Sequence, residues 1–176
     1  MIPLAFDEIE SPIGTLLIVA GPGGLCAVEF DADPERLGPQ LRRRFGPVEF
    51  GRAADPGGGA GRLRDYFAGD LAAIDGIAVE TGGTPFQQSV WSELRRIPVG
   101  STRSYSDIAR AIGQPHATRA VGLANGSNPL AIVVPCHRVV GADGSLTGYG
   151  GGLHRKRWLL SHEGAMKSAH RCFDWR

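Results

Sequence analysis

The chain has 176 residues and a formal net charge of +1, long enough for one good core or two small ones, with no global positive field. A nucleic-acid partner would have to be held by local patches. Three cysteines, Cys26, Cys136 and Cys172, are odd in number and widely spaced, which excludes a disulfide framework and a cysteine zinc set. The opening residues lack a basic region followed by a long apolar core, and no apolar run approaches membrane-spanning length. A reducing, cytoplasmic setting is expected.

Residues 4–30 alternate short apolar runs with the turn formers Ser11-Pro12-Ile13-Gly14 and Gly21-Pro22-Gly23-Gly24. Three antiparallel strands are predicted, burying Leu16, Ile18, Leu25 and Val28. Leu37, Leu41 and Phe45 recur every four residues after Asp33-Pro34, the pattern of an amphipathic helix with proline in its first turn. Arg42, Arg43 and Arg44 close it, either to grip phosphate or as a solvated face where cations suit a helix C-terminus. Residues 51–61 carry several glycines and no apolar periodicity, which predicts a surface loop. A short helix around Leu63 to Phe67 should end at Gly69, and Ile74 to Val79 reads as a further strand. Thr81-Gly82-Gly83 reads as a linker, and the first half as a scaffold without a catalytic constellation.

Thr84 is the expected cap of a helix with Pro85 first, striped by Phe86, Val90, Leu94 and Ile97 until Pro98. Ser104-Tyr105-Ser106-Asp107 resembles a capping box with Asp in place of Glu, opening a helix that ends at Gly113. Gln114-Pro115 starts another, His116 to Ala124, so the pair makes a helix-turn-helix. Apart from His116, Thr118 and Arg119, the second helix is built from Ala, Val, Gly and Leu. It offers few side chains to read a major groove, and fits either close packing on a neighbour or a minor groove with Arg119 inserted.

The most apolar run, Leu130 to Val134, reads as a buried strand delivering Pro135-Cys136-His137-Arg138 to its exit. A lone cysteine is ordinarily core, but a neighbouring His and Arg can lower a thiol's pKa, and the thiolate is the reactive species. Val139-Val140 and Leu146-Thr147 flank a turn and predict a hairpin. Gly148-Tyr149-Gly150-Gly151-Gly152 reads either as a mobile loop, with Tyr149 able to stack on a flat ligand, or equally as a plain linker. A last helix, Leu153 to Glu163, places His154-Arg155-Lys156-Arg157 near its start and a carboxylate at its end. Both oppose the helix dipole, which points either to partners for both sets or, since the cost is small, to a plain solvated surface.

Together these pieces resemble the O6-alkylguanine-DNA alkyltransferase family, closely over residues 84 to 164 and in outline before that. The resemblance rests on Pro135-Cys136-His137-Arg138-Val139, with Thr102-Arg103-Ser104-Tyr105, Arg119-Ala120-Val121-Gly122, Asn128-Pro129, the Tyr149 to Leu153 loop and His162-Glu163-Gly164 in family order. It implies an α/β (α+β) chain: a ribonuclease-H-like domain over residues 1–80, a winged-helix-like helix-turn-helix domain over 84–164, and a tail over 165–176. It also implies DNA repair by one irreversible transfer of an alkyl group from guanine O6, and open to O4-alkylthymine, onto Cys136.

In that reading His137 takes the thiol proton through a bridging water, with Glu163 orienting the imidazole. Such a relay demands a turn at Cys136, because neighbours on a strand diverge. Tyr105 would donate to purine N3, the Cys136 and Val139 carbonyls would accept from the exocyclic amine, the Gly150 N–H would approach O6, and Tyr149 would wall the ring. Arg119 would fill the gap left by the flipped base; Asn128 and Lys156 are counted among the substrate or DNA contacts. The partner implied is double-stranded DNA with alkylated bases, bound by a monomer, with clustering on DNA left open. No cofactor and no metal is expected, since Cys26 lacks companion ligands for the zinc of certain relatives. Some relatives have serine in place of Gly150, which bears on selectivity for larger alkyl groups. No cysteine-rich domain precedes residue 1, which argues against the fused phosphotriester-repair regulators. Two alternatives are a lesion-binding protein without chemistry and a turnover Cys-His hydrolase.

Overall fold

The computed structural model describes residues 1–166, so the tail expected over 165–176 lies outside the described residues from Lys167 onward. Strands β1 (Ile2–Ser11), β2 (Gly14–Gly21) and β3 (Gly24–Phe30) pair antiparallel, and β4 (Val48–Arg52) returns parallel to β1 after helix α1 (Pro34–Phe45), giving the order β3-β2-β1-β4. A parallel return needs a crossover, which α1 supplies. Alternation along β2 buries both faces: Leu17 and Val19 meet Leu37 and Leu41 of α1, while Leu16, Ile18 and Ala20 face a second cluster.

That second cluster continues without a break into the carboxy-terminal half, through Val90, Leu94, Val121, Ile132 and Leu159. The outer edge of β3 is covered partly from there, at Val28, and partly by residues 78–80 of the amino-terminal half, at Leu25. Val28 donates to the Pro129 carbonyl (2.9 Å) and accepts from the Ala131 N–H (3.0 Å), while Leu25 exchanges bonds with Ala78 and Glu80 (2.9 and 2.8 Å). An edge that could template aggregation thus becomes the seam holding the two halves together.

The second half contains α3 (Pro85–Leu94), β5 (Arg103–Ser104), α4 (Tyr105–Ala111), α5 (Thr118–Gly126), β6 (Val139–Val140) and α6 (Leu153–His162). Both expected caps form as full capping boxes, Thr84 with Gln87 and Ser104 with Asp107. Helices α4 and α5 make the helix-turn-helix, with Gly113 at φ +75° in the turn. The α+β two-domain architecture follows as expected.

Four local expectations are corrected. Residues 51–61 are ordered: β4 runs to Arg52, Pro56–Gly58 form a 3₁₀ turn, and α2 (Gly59–Ala68) begins there. Glycine serves close approach at that point, since a Cβ on Gly59 would sit 2.8 Å from the Leu25 methyls. Ile74 to Val79 is no strand, because Gly76 at φ +69° breaks it and only Val79 bridges to Leu25.

Leu130 to Val134 is a folded turn, with Val133 N–H donating to Ala131 (2.8 Å) and Val134 N–H to Leu130 (2.9 Å). A continuous apolar run marks burial, and periodicity alone cannot tell which backbone shape is buried. Ile132 there adopts φ +71°. For a β-branched residue that conformation costs about 1–3 kcal/mol, held by surrounding packing. The hairpin after Cys136 is absent too. Val139–Val140 pairs parallel with Arg103–Ser104, the turn closes through Gly141 N–H to the Ser145 carbonyl (2.9 Å), and Thr147 gives its carbonyl to Lys156.

Candidate active site

Pro135 ends the folded turn, and Cys136–Arg138 form one 3₁₀ turn. The turn separates side chains that a strand would alternate. Cys136 lies at the floor of a cleft of about 940 Å³, 7% exposed, while His137 and Arg138 point back into the interior. Tyr105, Arg119, Asn128, Tyr149 and Gly150 line the same cleft. His137, Val139, Lys156 and Glu163 stand behind it, all buried.

The centre behind the thiol is Glu163. Its Oε1 accepts from Tyr66 hydroxyl (2.8 Å) and Arg138 Nη2 (2.8 Å) and lies 2.9 Å from His137 Nε2, while its Oε2 accepts from Arg138 Nε (2.9 Å). Arg138 Nη1 donates to the Ile97 carbonyl (2.7 Å). Burial pushes the Glu163 carboxyl up, but the hydrogen bonds of His137 and Arg138 and the Arg138 charge outweigh it and hold the group well below the ordinary carboxylate range. A carboxylate on Nε2 selects the tautomer with its hydrogen there. Nδ1 is then the free basic nitrogen, and it is buried without a protein hydrogen-bond partner.

Burial lowers the His137 pKa more than Glu163 raises it, so the imidazole is neutral at pH 7. Burial likewise raises the Cys136 thiol, against a hydrogen bond from Asn128 and the charge of Lys156. This corrects the reason for expecting a reactive sulfur. Arg138 is turned onto Glu163 and His137 is neutral, so neither stores a thiolate. The resting pair is thiol and imidazole, ready for proton transfer when an electrophile arrives.

Lys156 is fully buried, donating Nζ to the Val139 (2.5 Å) and Thr147 (2.8 Å) carbonyls, with its pKa lowered by burial to about 8. It has no surface to offer a DNA phosphate, and instead ties the Cys136 segment to the glycine loop. Val139 keeps a second carbonyl lone pair for a ligand. Asn128 donates to the Val134 carbonyl (2.7 Å) and accepts from the Leu130 N–H (3.0 Å), which fixes the turn under the sulfur. Tyr105 hydroxyl accepts from Thr147 Oγ1 (3.2 Å), leaving its own hydrogen free to donate into the cleft. Arg119 is exposed in the first turn of α5, whose outer surface is otherwise Thr118, Ala120, Leu123 and Gly126.

Sequence reasoning missed six residues of the site. Tyr66 sits 97 residues from its partner Glu163 and on a helical stripe that reads as core. Asn125 donates to the Cys136 carbonyl (3.4 Å) from inside the helix-turn-helix. Glu29, Phe30, Asp31 and Arg36 of the supposed scaffold line the cleft. Arg44 is no solvated residue either: it donates to the carbonyls of Cys26 (3.0 Å), Glu80 (3.1 Å) and Thr81 (2.5 Å). Among the described residues no group of three His, Cys, Asp or Glu side chains converges on a metal position, and no helix is long and apolar enough to cross a membrane.

A thiol at the floor of a cleft, walled by a helix-turn-helix and backed by an imidazole–carboxylate pair, defines a cysteine-nucleophile protein whose site opens beside a DNA-binding motif. The family model of the 6-O-methylguanine DNA methyltransferase DNA-binding domain matches residues 85–165. The methylated-DNA–protein-cysteine methyltransferase of Shigella flexneri is 47% identical over 167 residues, covering 93% of this chain and 98% of that protein. That of Mycobacterium bovis is 48% identical over 161 residues, covering 90% and 91%. The crystal structure of Mycobacterium tuberculosis O6-methylguanine methyltransferase superposes with a TM-score of 0.77 at 42% identity, covering 94% of this chain and 96% of that one. A Mycobacterium tuberculosis OGT structure in complex with DNA gives 0.75 at 45% identity, covering 93% of each. The chain belongs to the methylated-DNA–protein-cysteine methyltransferase family.

Proposed function

We propose that this chain repairs DNA by direct reversal, taking the alkyl group of an O6-alkylguanine onto Cys136 once per molecule. The observation that carries this is the thiol at the cleft floor with a neutral His137 behind it, whose Nε2 is committed to Glu163. In the reaction the sulfur attacks the saturated carbon in line. The S–C bond forms as the C–O bond breaks, and the electron pair leaves with the purine. The thiol proton passes to His137 Nδ1 through a water, and Glu163 stabilises the resulting imidazolium. Tyr105 donates to purine N3 as negative charge develops on the ring.

The base reaches this depth only by leaving the duplex, at a cost of a few kcal/mol that is smaller for a poorly paired lesion. α5 supports extrusion from the minor groove: small residues let its backbone approach, and Arg119 replaces the lost stacking. The Cys136 and Val139 carbonyls, the Gly150 N–H and Tyr149 then hold the purine. We assign Asn128 and Lys156 to positioning of the sulfur and the loop. The chain divides into a domain over residues 1–80 and a DNA-binding alkyltransferase domain over 84–164, acts as a monomer on double-stranded DNA, needs no cofactor, and works in the cytoplasm.

Titrating the protein with duplex carrying radiolabelled O6-methylguanine tests the reading. Label should saturate at one equivalent per chain, and Cys136→Ala should bind the same duplex yet take up none. Binding without label would favour a lesion-binding protein, and continued release of product would favour a hydrolase.

A further inference from the structure

We propose that Phe30 and Arg155 clamp the glycine loop that carries Tyr149, so that the amino-terminal half of the chain sets the size of alkyl group the cleft accepts. The inference rests on the alkyl-transfer reading and adds a determinant of specificity to it.

Arg155 lies in the first turn of α6, where a cation opposes the helix dipole and needs compensating partners. It has several. Nε donates to the Ile13 carbonyl (2.7 Å), Nη2 to Asp31 (2.6 Å) and Nη1 to the Gly151 carbonyl (3.3 Å), with the guanidinium carbon 4.4 Å from the Phe30 ring centroid. The planar fork can meet these partners at once, which an ammonium cannot. Asp31 is largely exposed, so that ion pair alone contributes little; the carbonyl bonds and the ring carry the clamp.

Two glycines make room for it. A Cβ on Gly14 would lie 2.6 Å from Arg155 Nη2, and one on Gly151 would meet Tyr149 Cε1 at 2.9 Å, Phe30 Cδ2 at 3.1 Å and Arg155 Cδ at 3.3 Å. Tyr149, Phe30 and Arg155 therefore converge over the Gly151 backbone. By contrast, Cβ atoms built on Gly148 and Gly150 meet nothing within 4 Å, so the intervening loop has little packing of its own there. Lys156 ties its start at Thr147, and Arg155 ties its end at Gly151. Phe30, Tyr149 and Cys136 line one cleft, so the position at which the loop is held fixes the space left for a substituent beside the sulfur.

The test compares transfer rates from two duplexes identical except for O6-methylguanine or O6-benzylguanine. Phe30→Leu and Arg155→Lys retain apolar bulk and charge, and thermal denaturation checks that both variants fold. The methyl rate should fall while the benzyl-to-methyl ratio rises about tenfold, the scale expected when a positioning wall loosens. A ratio within about twofold of wild type in both variants, whether the rates hold or fall together, would overturn the clamp. If the wild-type protein takes alkyl from neither duplex, it is the alkyl-transfer reading that fails, and the clamp falls with it.

Discussion

Glu163→Gln is the perturbation on which the buried network makes its firmest statement. The change keeps side-chain volume and removes one charge, but the carboxylate accepts from Tyr66 and Arg138 and pairs with His137, and Arg138 is only 4% exposed. Gln can offer one oxygen, and its amide then faces a guanidinium as donor against donor. Removing one partner of a buried ion pair costs about 3–5 kcal/mol, because the other charge is left uncompensated. Urea denaturation at pH 7 should show a loss of that order. The transfer rate should fall about 10²–10⁴-fold as the imidazolium loses its counter-charge. The pH dependence has a definite sign. The folded carboxyl sits well below its ordinary range, so it contributes stability that is present above that range and lost as pH falls through it toward the folded value. Wild type should therefore lose stability in acid more steeply than the variant. A loss under about 1 kcal/mol, with a transfer rate within about tenfold of wild type, would refute the reasoning.

Tyr66→Phe deletes only the 2.8 Å bond to Glu163 and should cost about 1.5–3 kcal/mol in the same urea assay, as hydrogen bonds to charged groups do; no change would make Tyr66 a bystander. Because burial lowers the His137 pKa, transfer rates measured against pH should stay flat through the ordinary histidine range near 6.5 and fall only below it; an inflection at or above that value would contradict a neutral buried base. Arg119→Ala should slow transfer from duplex far more than transfer from free O6-benzylguanine, and equal slowing of both would remove the wedge role.

Much of this site was legible in order along the chain. The β1–β3 meander, α1, the Thr84 cap, the Ser104–Asp107 capping box and the helix-turn-helix rest on local signals: alternation, four-residue stripes, and a capping side chain at the helix start. The Cys136 motif stood out because thiol and imidazole are adjacent. What escaped detection depended on distant partners. Leu130 to Val134 is apolar because every side of it is buried, and a φ of +71° at Ile132 leaves no mark on residue type. The parallel pairing of β6 with β5 has no turn to announce it, so Val139 and Val140 read as half a hairpin. Tyr66 looks like one more core aromatic until Glu163 is brought to it. The unfavourable charges at both ends of α6 were the one sequence clue to long-range structure: Arg155 reaches Ile13 and Asp31, Lys156 the Val139 carbonyl, and Glu163 its buried network.

The central claim is that the alkyl group ends on one sulfur. Mixing the protein with duplex containing O6-methylguanine, digesting it and weighing the peptides tests this most directly. One added methyl should map to Cys136 and none to Cys26, whose thiol is buried with a pKa raised to about 11. A methyl on any other residue, or an unmodified Cys136 peptide beside repaired DNA, would contradict the account.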